Sequence, residues 1–414
     1  MYLLWILIAI IAMFIFKDKR INLFNPIFIF VTLWGGLYIL YSLNIFNAFP
    51  KITIQFTLII IIGIVCYLLG YFIGGYLPGG KKKVDGFQMD LKKVHRYSTI
   101  IYIGVVASLI LTIVLLGLPP TLGGSIIREN YYIPGIEQFF LFIYVFWFLS
   151  LYQISVGHKV KVNLLLITTS LLVVLIKGNK FPLVYFVILI MFFLRKKSGI
   201  ALKYIILSGV SILGAFSLAS IILYNDEIVQ NAKVFQTGYT LFESSLGRIL
   251  FDPLAYLLCN IMNLINVMSK PSPYYLGLSS FKGVLSLFGL DSQFDSSYQE
   301  ISNYWKSNLQ IPWLTTGTFF KDFYLDFGII GILGALFFIG ALIGYFYKSM
   351  NLYIDTGRDL SSKLLARKYI FFSLYFAVII SFFTNYLSSV DFIRNLILFL
   401  IIIRLTRKKK EFNL

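Results

Sequence analysis

Charge is what this sequence has least of. Of its 414 residues only 13% are Asp, Glu, Lys or Arg, about half the share found in soluble domains. So few charges cannot cover a water-soluble protein of this length, and a mean hydropathy of +0.83 points to lipid as the solvent. Cysteine is almost absent. Cys66 and Cys259 are the two in the chain, which excludes a disulfide framework and a cysteine metal cluster. Histidine is equally scarce: His95 and His158 both fall beside basic loops, leaving the opposite face without an imidazole to act as base or metal ligand. There is no GxSxG, HExxH or Walker sequence and no DxD pair in an outer loop, so neither ATP hydrolysis, a bound divalent metal nor any other cofactor is expected. No internal repeat is visible, and the inverted-repeat signature of many transporters is therefore missing. The first apolar run has no basic n-region and no small-residue cleavage site, which predicts a retained helix, not a signal peptide.

What is present is a series of long apolar runs. They predict an all-α polytopic membrane protein of about eleven transmembrane helices, at 2–16, 23–46, 53–77, 97–118, 137–157, 162–176, 181–194, 200–224, 322–347, 369–387 and 391–403. The runs 162–176 and 181–194 are short; the readings open for them are little tilt, recruitment of flanking residues, or a broken pair that does not fully cross. The organisation expected is an N-terminal bundle (1–224), a large external loop (225–321) holding short amphipathic or re-entrant helices, and a C-terminal bundle with a basic tail (322–414). Aromatic residues make up 18% of the chain; Phe faces lipid cheaply and Tyr suits the interfacial belts.

The net charge of +18 is unevenly placed. Every second connection is basic, from Lys17, Lys19 and Arg20 to Arg407 and Lys408. Those connections hold 25 of the 36 basic and 6 of the 18 acidic residues. This is the positive-inside pattern and not a nucleic-acid footprint; it puts the N-terminus outside and the C-terminus in the cytoplasm. Basic residues on the outer side are few and therefore informative. They include Arg128 in Gly123-Gly-Ser-Ile-Ile-Arg-Glu-Asn, Lys177 and Lys180 in Lys-Gly-Asn-Lys, Arg248 in Leu246-Gly-Arg-Ile-Leu-Phe-Asp-Pro, Lys321, and Arg394 inside the last span. A charge beside hydrocarbon persists when it has a partner or a ligand. The ligand reading is a diphosphate head group, whose oxygens suit Arg and Lys; the alternatives are snorkelling or an ion pair. For Arg394, three residues after Asp391, the ion pair is preferred. Carboxylates form the second set. Asp252 lies four residues after Arg248, and Asp322 and Asp326 share one face of a helix in Thr316-Gly-Thr-Phe-Phe-Lys-Asp-Phe-Tyr-Leu-Asp-Phe-Gly-Ile-Ile-Gly331. Each is a candidate general base for a sugar hydroxyl, against the reading of a helix-terminal charge.

The segment Thr316 to Gly344 resembles the span after the large periplasmic loop of O-antigen polymerases, the oligosaccharide repeat-unit polymerases of the Wzy type. The resemblance lies in the aromatic-acidic-aromatic stretch running into Gly-x-x-Gly, here Phe323 to Gly331, and in the layout of spans, outer loop and basic tail. The Gly-Arg pair common in that family at the outer end of a middle span is replaced here by Lys177-Gly-Asn-Lys180. The resemblance implies a glycosyltransferase of the bacterial cytoplasmic membrane. It would move a growing glycan from undecaprenyl diphosphate onto a lipid-linked repeat unit, without a metal, to build O-antigen, capsule or exopolysaccharide. The implied partners are undecaprenyl-diphosphate-linked glycans, membrane lipids, a chain-length regulator and a flippase. A lipid-linked oligosaccharide flippase and an O-antigen ligase are the alternatives. The long outer loop disfavours the first, and the lack of an outer-loop histidine disfavours the second.

Overall fold

The computed structural model describes residues 25–77, 87–123, 130–194, 214, 245–311, 315–354 and 361–409. The expected spans at 2–16 and, apart from residue 214, at 200–224 lie outside the described residues, as does the proposed retained N-terminal helix. What is described is mostly helical, with turns between the helices and one short strand pair. In chain order the helices are α1 (Pro26–Ser42), α2 (Ile54–Tyr76), α3 (Leu91–Leu116), α4 (Ile136–Leu141), α5 (Ile143–Ser155), α6 (Val160–Lys177), α7 (Lys180–Leu194), α8 (Ser245–Met268), α9 (Lys282–Leu287), α10 (Asp295–Ser307), α11 (Phe319–Ile354), α12 (Ser362–Ile379) and α13 (Val390–Leu405). Five stretches are long and apolar enough to cross a membrane: 54–76, 91–116, 136–155, 160–177 and 319–350; the helices at 26–42, 181–194 and 257–268 are apolar but shorter. The protein is thus a membrane-embedded helical bundle.

Caps set several helix boundaries. Asn25, Thr53, Asp90, Ser361 and Ser389 each accept a backbone N–H from the first turn of the helix that follows. The closest helix pair is α2 with α11. Gly70-Tyr-Phe-Ile-Gly74 on one faces Gly340-Ala-Leu-Ile-Gly344 on the other, and a methyl group at any of the four glycines would overlap a backbone carbonyl of the partner helix. Small residues at this spacing let two backbones touch, which replaces the hydrophobic drive that lipid removes.

Two strands, β1 (Phe87–Met89) and β2 (Arg407–Lys409), pair antiparallel, and Ser361 bridges to Gln88. Three connections from the basic set therefore meet. The other set meets as well: Gln310 donates to the Ala48 carbonyl, Phe319 N–H to the Ser381 carbonyl at 2.6 Å, and Gly283 packs on the backbone of Ser388 to Val390. Helix α12 leads from Ser361 beside β1 to Ser381 beside the start of α11, so the two sets occupy opposite ends of the bundle.

Two expected elements differ. The span expected at 369–387 runs instead from Ser362 to Ile379. Residues 380–389 leave the helix and turn through a short 3-10 segment at Tyr386–Ser388. Phe382, Phe383 and Tyr386 made that stretch look like continued span, whereas its hydroxyl and amide groups serve as turn and contact groups. Within the segment expected to be an external loop, the stretch read as a short amphipathic or re-entrant helix is a 24-residue helix, α8. Its residues 258–264 are buried on every side, against α1 and α11. Helices α9 and α10 are the short helices of the loop.

Candidate functional site

The site begins with a broken helix. Gly328 within α11 has φ 62° and ψ −149°, a region that residues with a Cβ avoid, so α11 is two helices joined at this glycine. A break in a helix frees carbonyls from their usual partners, and they need other donors. The segment Lys270 to Phe281 supplies them. Ser272 Oγ donates to the Tyr324 carbonyl at 2.6 Å, Tyr275 N–H to Leu325 at 3.1 Å, and Leu276 N–H to Asp326 at 3.3 Å. Tyr324 returns a bond from its hydroxyl to the Lys270 carbonyl at 2.6 Å. The Pro-Ser-Pro-Tyr-Tyr turn is thereby stitched along the acidic segment of α11.

Asp322 and Asp326 come together as the sequence spacing predicts, yet in unlike surroundings. Asp326 is fully buried. Its two oxygens accept the backbone N–H groups of Ser279 and Ser280 at 3.0 and 2.6 Å. It is a latch between loop and helix, and each such charge-assisted bond contributes about 1.5–3 kcal/mol. Asp322 is half-buried. Its Oδ1 accepts the Ser279 hydroxyl at 2.8 Å, and its Oδ2 lies 3.4 Å from the Ser388 hydroxyl. Ser279 bridges the two acids, by its N–H to one and its hydroxyl to the other. Ser388 comes from the unwound stretch after α12, so three separate elements converge on Asp322.

Around this pair stand polar groups that sequence reasoning missed. The Tyr298 hydroxyl on α10 is buried without a hydrogen-bond partner, and its pKa is pushed up by burial first, then by Asp291 and Asp326. It therefore remains an O–H donor at neutral pH. The Lys282 ammonium lies 4.9 Å from the centre of the Tyr298 ring. The Ser280 hydroxyl is also buried and faces the Asp326 carboxylate. Nothing in a Gly-Leu-Ser-Ser-Phe-Lys run separates it from an ordinary polar turn. The only advance signal was its place in a long loop beside the Asp-x-x-x-Asp segment.

The remaining expected residues sit elsewhere or are not described. Lys177 is buried and pairs with Glu137, with its ammonium 4.1 Å from the centre of the Phe140 ring. Lys321 lies over the Trp305 ring at 4.4 Å. Arg394 pairs with Asp391 at 3.6 Å, as the spacing favoured. Arg128 lies outside the described residues. Arg248 and Asp252 lie in the early turns of α8 and Lys180 begins α7, but their side chains are outside the described part. The arrangement offers a half-buried carboxylate steadied by two hydroxyls, and next to it a buried acid that lies within electrostatic reach of a phenol donor. Such a set can take a proton from a bound hydroxyl and hydrogen-bond an anionic or sugar oxygen. Comparison with family models, with curated proteins and with solved structures finds no match to this chain.

Proposed function

We propose that the chain is a polymerase of lipid-linked oligosaccharide repeat units, a metal-independent glycosyltransferase of the bacterial cytoplasmic membrane. The observation that carries the reading is the pair of acids in the segment that resembles the polymerases. One is consumed as a structural latch, and the other is held by hydroxyls and left half-open. In this reading Asp322 takes the proton of the acceptor sugar hydroxyl. The acceptor oxygen forms the new bond to the anomeric carbon of the growing glycan as the bond from that carbon to the diphosphate breaks. Undecaprenyl diphosphate leaves with the electron pair. Its charge is met by basic residues of the outer side, Lys282 and the Arg128 and Arg248 of the original expectation, and Tyr298 donates to an oxygen of the sugar or the diphosphate. Asp326 positions the loop. Lys177 has an ion-pair partner already and is set aside as a diphosphate ligand.

The N-terminus outside and the C-terminus inside would put Asp322 on the outer side, where lipid-linked units are joined without a nucleotide. A chain-length regulator and a flippase are the expected partners. The test is glycan length in cells. Asp322→Asn should abolish the polymer ladder and leave single repeat units, with unchanged protein in the membrane. A ladder of normal length from this variant would remove Asp322 from the reaction.

A further inference from the structure

We propose that the segment from Tyr274 to Leu290 lies in the hydrocarbon of the bilayer, and that acyl chains cover an apolar face which the protein leaves bare. From Pro271 to Leu290 the chain carries one charge, Lys282, and its ammonium rests over the Tyr298 ring of α10. The large apolar side chains of the same stretch stand outside the protein. Leu276 is 79% exposed and Phe288 71%, and Tyr274 and Phe281 are each more than half exposed. Soluble proteins rarely leave so continuous an apolar face open.

What covers this face follows from what it joins. Helix α11 is long and apolar enough to cross a membrane, and just past its break it exposes Ile329 and Ile330, the latter at 82%. Ile330 lies about three turns inside α11, counted from Phe319. Tyr274 stands against the break, its hydroxyl 3.3 Å from where a Cβ on Gly328 would be. Leu276 N–H bonds the Asp326 carbonyl, and Phe281 and Phe327 both border Gly277. The bare face of the segment therefore runs on from the bare face of α11. On a helix that crosses the bilayer the occupant of that face is lipid, so lipid covers Leu276 and Phe288 too.

The backbone is equipped for such a place. Irregular backbone is tolerated in hydrocarbon only where the protein satisfies its polar groups. The N–H groups of Tyr275, Leu276, Leu278, Ser279, Ser280 and Phe281 each bond an acceptor within the protein. Tyr274 and Leu276 hold positive φ, 55° and 52°, which residues with a Cβ rarely adopt. In this strained turn two apolar side chains point outward, an arrangement that water penalises and hydrocarbon does not. The chemistry then changes at one step. After Leu290 the exposed residues are Ser292, Gln293, Asp295, Ser296, Gln299 and Glu300. Helix α10 thus faces water while α9 faces lipid, and the edge of the hydrocarbon falls between Leu290 and Asp291. Ser279 and Ser280 hold the acids of α11, so the segment that meets lipid also fixes those acids. This placement holds whatever reaction Asp322 performs.

The experiment uses the unaltered chain, one copy in each phosphatidylcholine nanodisc. One probe is a phospholipid with an aryl diazirine at the end of an acyl chain; the other, in the water, is the hydroxyl radical. Marks are mapped by mass spectrometry. Leu276, Phe281 and Phe288 should carry acyl-chain adducts within about threefold of the yield at Ile330 and at least about tenfold above that at Gln299. The same three residues should escape oxidation, although side chains so exposed would be among the first oxidised in water. Strong oxidation at Leu276 and Phe288 would put the face in water and overturn the proposal. Neither mark on them would overturn it as well, since another part of this chain would then be the cover.

Discussion

At the scale of single residues, the two acids of α11 have separable tasks, and substitution should separate them. Asp326→Asn turns one acceptor oxygen into a donor facing the N–H of Ser279 or Ser280. It should cost about 3 kcal/mol, read as a lowered melting temperature of the purified protein. Asp322→Asn keeps a hydroxyl-bonded side chain and should melt within a degree or two of the parent, on the order of 0.5 kcal/mol. Lys177 and Glu137 make a second pair of predictions. Lys177→Met leaves Glu137 with an unpaired charge and should destabilise by about 3–5 kcal/mol, whereas Lys177→Met with Glu137→Leu should recover most of that. The double variant should keep its activity; complete loss of activity in a stable double variant would return Lys177 to the diphosphate site. The sequence did show that Asp322 and Asp326 share a face, because helical spacing is local. It could not show which acid was free, since the answer lies in Ser279 and Ser280, more than forty positions away. Lys177 misled for the same reason: a lone cation at the end of an apolar run looks like a ligand group until Glu137 is found beside it.

At the scale of elements, the broken helix and the glycine seam carry the architecture. Gly340→Ala would set a methyl against the Tyr67 carbonyl and should cost about 1–3 kcal/mol. Gly334→Ala, in the same helix with open space around it, should instead stabilise by about 0.5–1 kcal/mol. Opposite signs in the thermal melts of these two variants would confirm the seam; equal effects would dissolve it. Apolar run lengths revealed α2, α6 and α7 nearly to their ends, because crossing or packing in lipid leaves a continuous hydropathy signal. The same signal failed at α12, where aromatic residues past Ile379 belong to a turn and not to a span. It also fell short at α8, where the apolar stretch Ile249 to Leu264 reads as a short helix although the helix runs from Ser245 to Met268. The break at Gly328 was hidden as well, for a single glycine in an apolar stretch is ordinary.

At the scale of the whole molecule, alternation of charge along the sequence and the contacts between loops agree. Phe87–Met89, Ser361 and Arg407–Lys409, from three basic connections, meet through β1, β2 and a bridge, while the loops carrying Ala48, Ser279, Gln310 and Ser388 meet around the start of α11. A charge pattern is readable because membrane insertion sorts Lys and Arg by side, independently of how the helices pack. The convergence of the segment around Ser279, α11 and the turn after α12 on one carboxylate was not readable, being a product of tertiary packing alone. The reaction proposed for that point is tested most directly with purified protein in lipid nanodiscs, supplied with polyprenyl-diphosphate-linked repeat units and nothing else. The account predicts one free polyprenyl diphosphate for each glycosidic bond formed, and neither product from Asp322→Asn. Release without bond formation, or polymer from the Asp322→Asn protein, would contradict it.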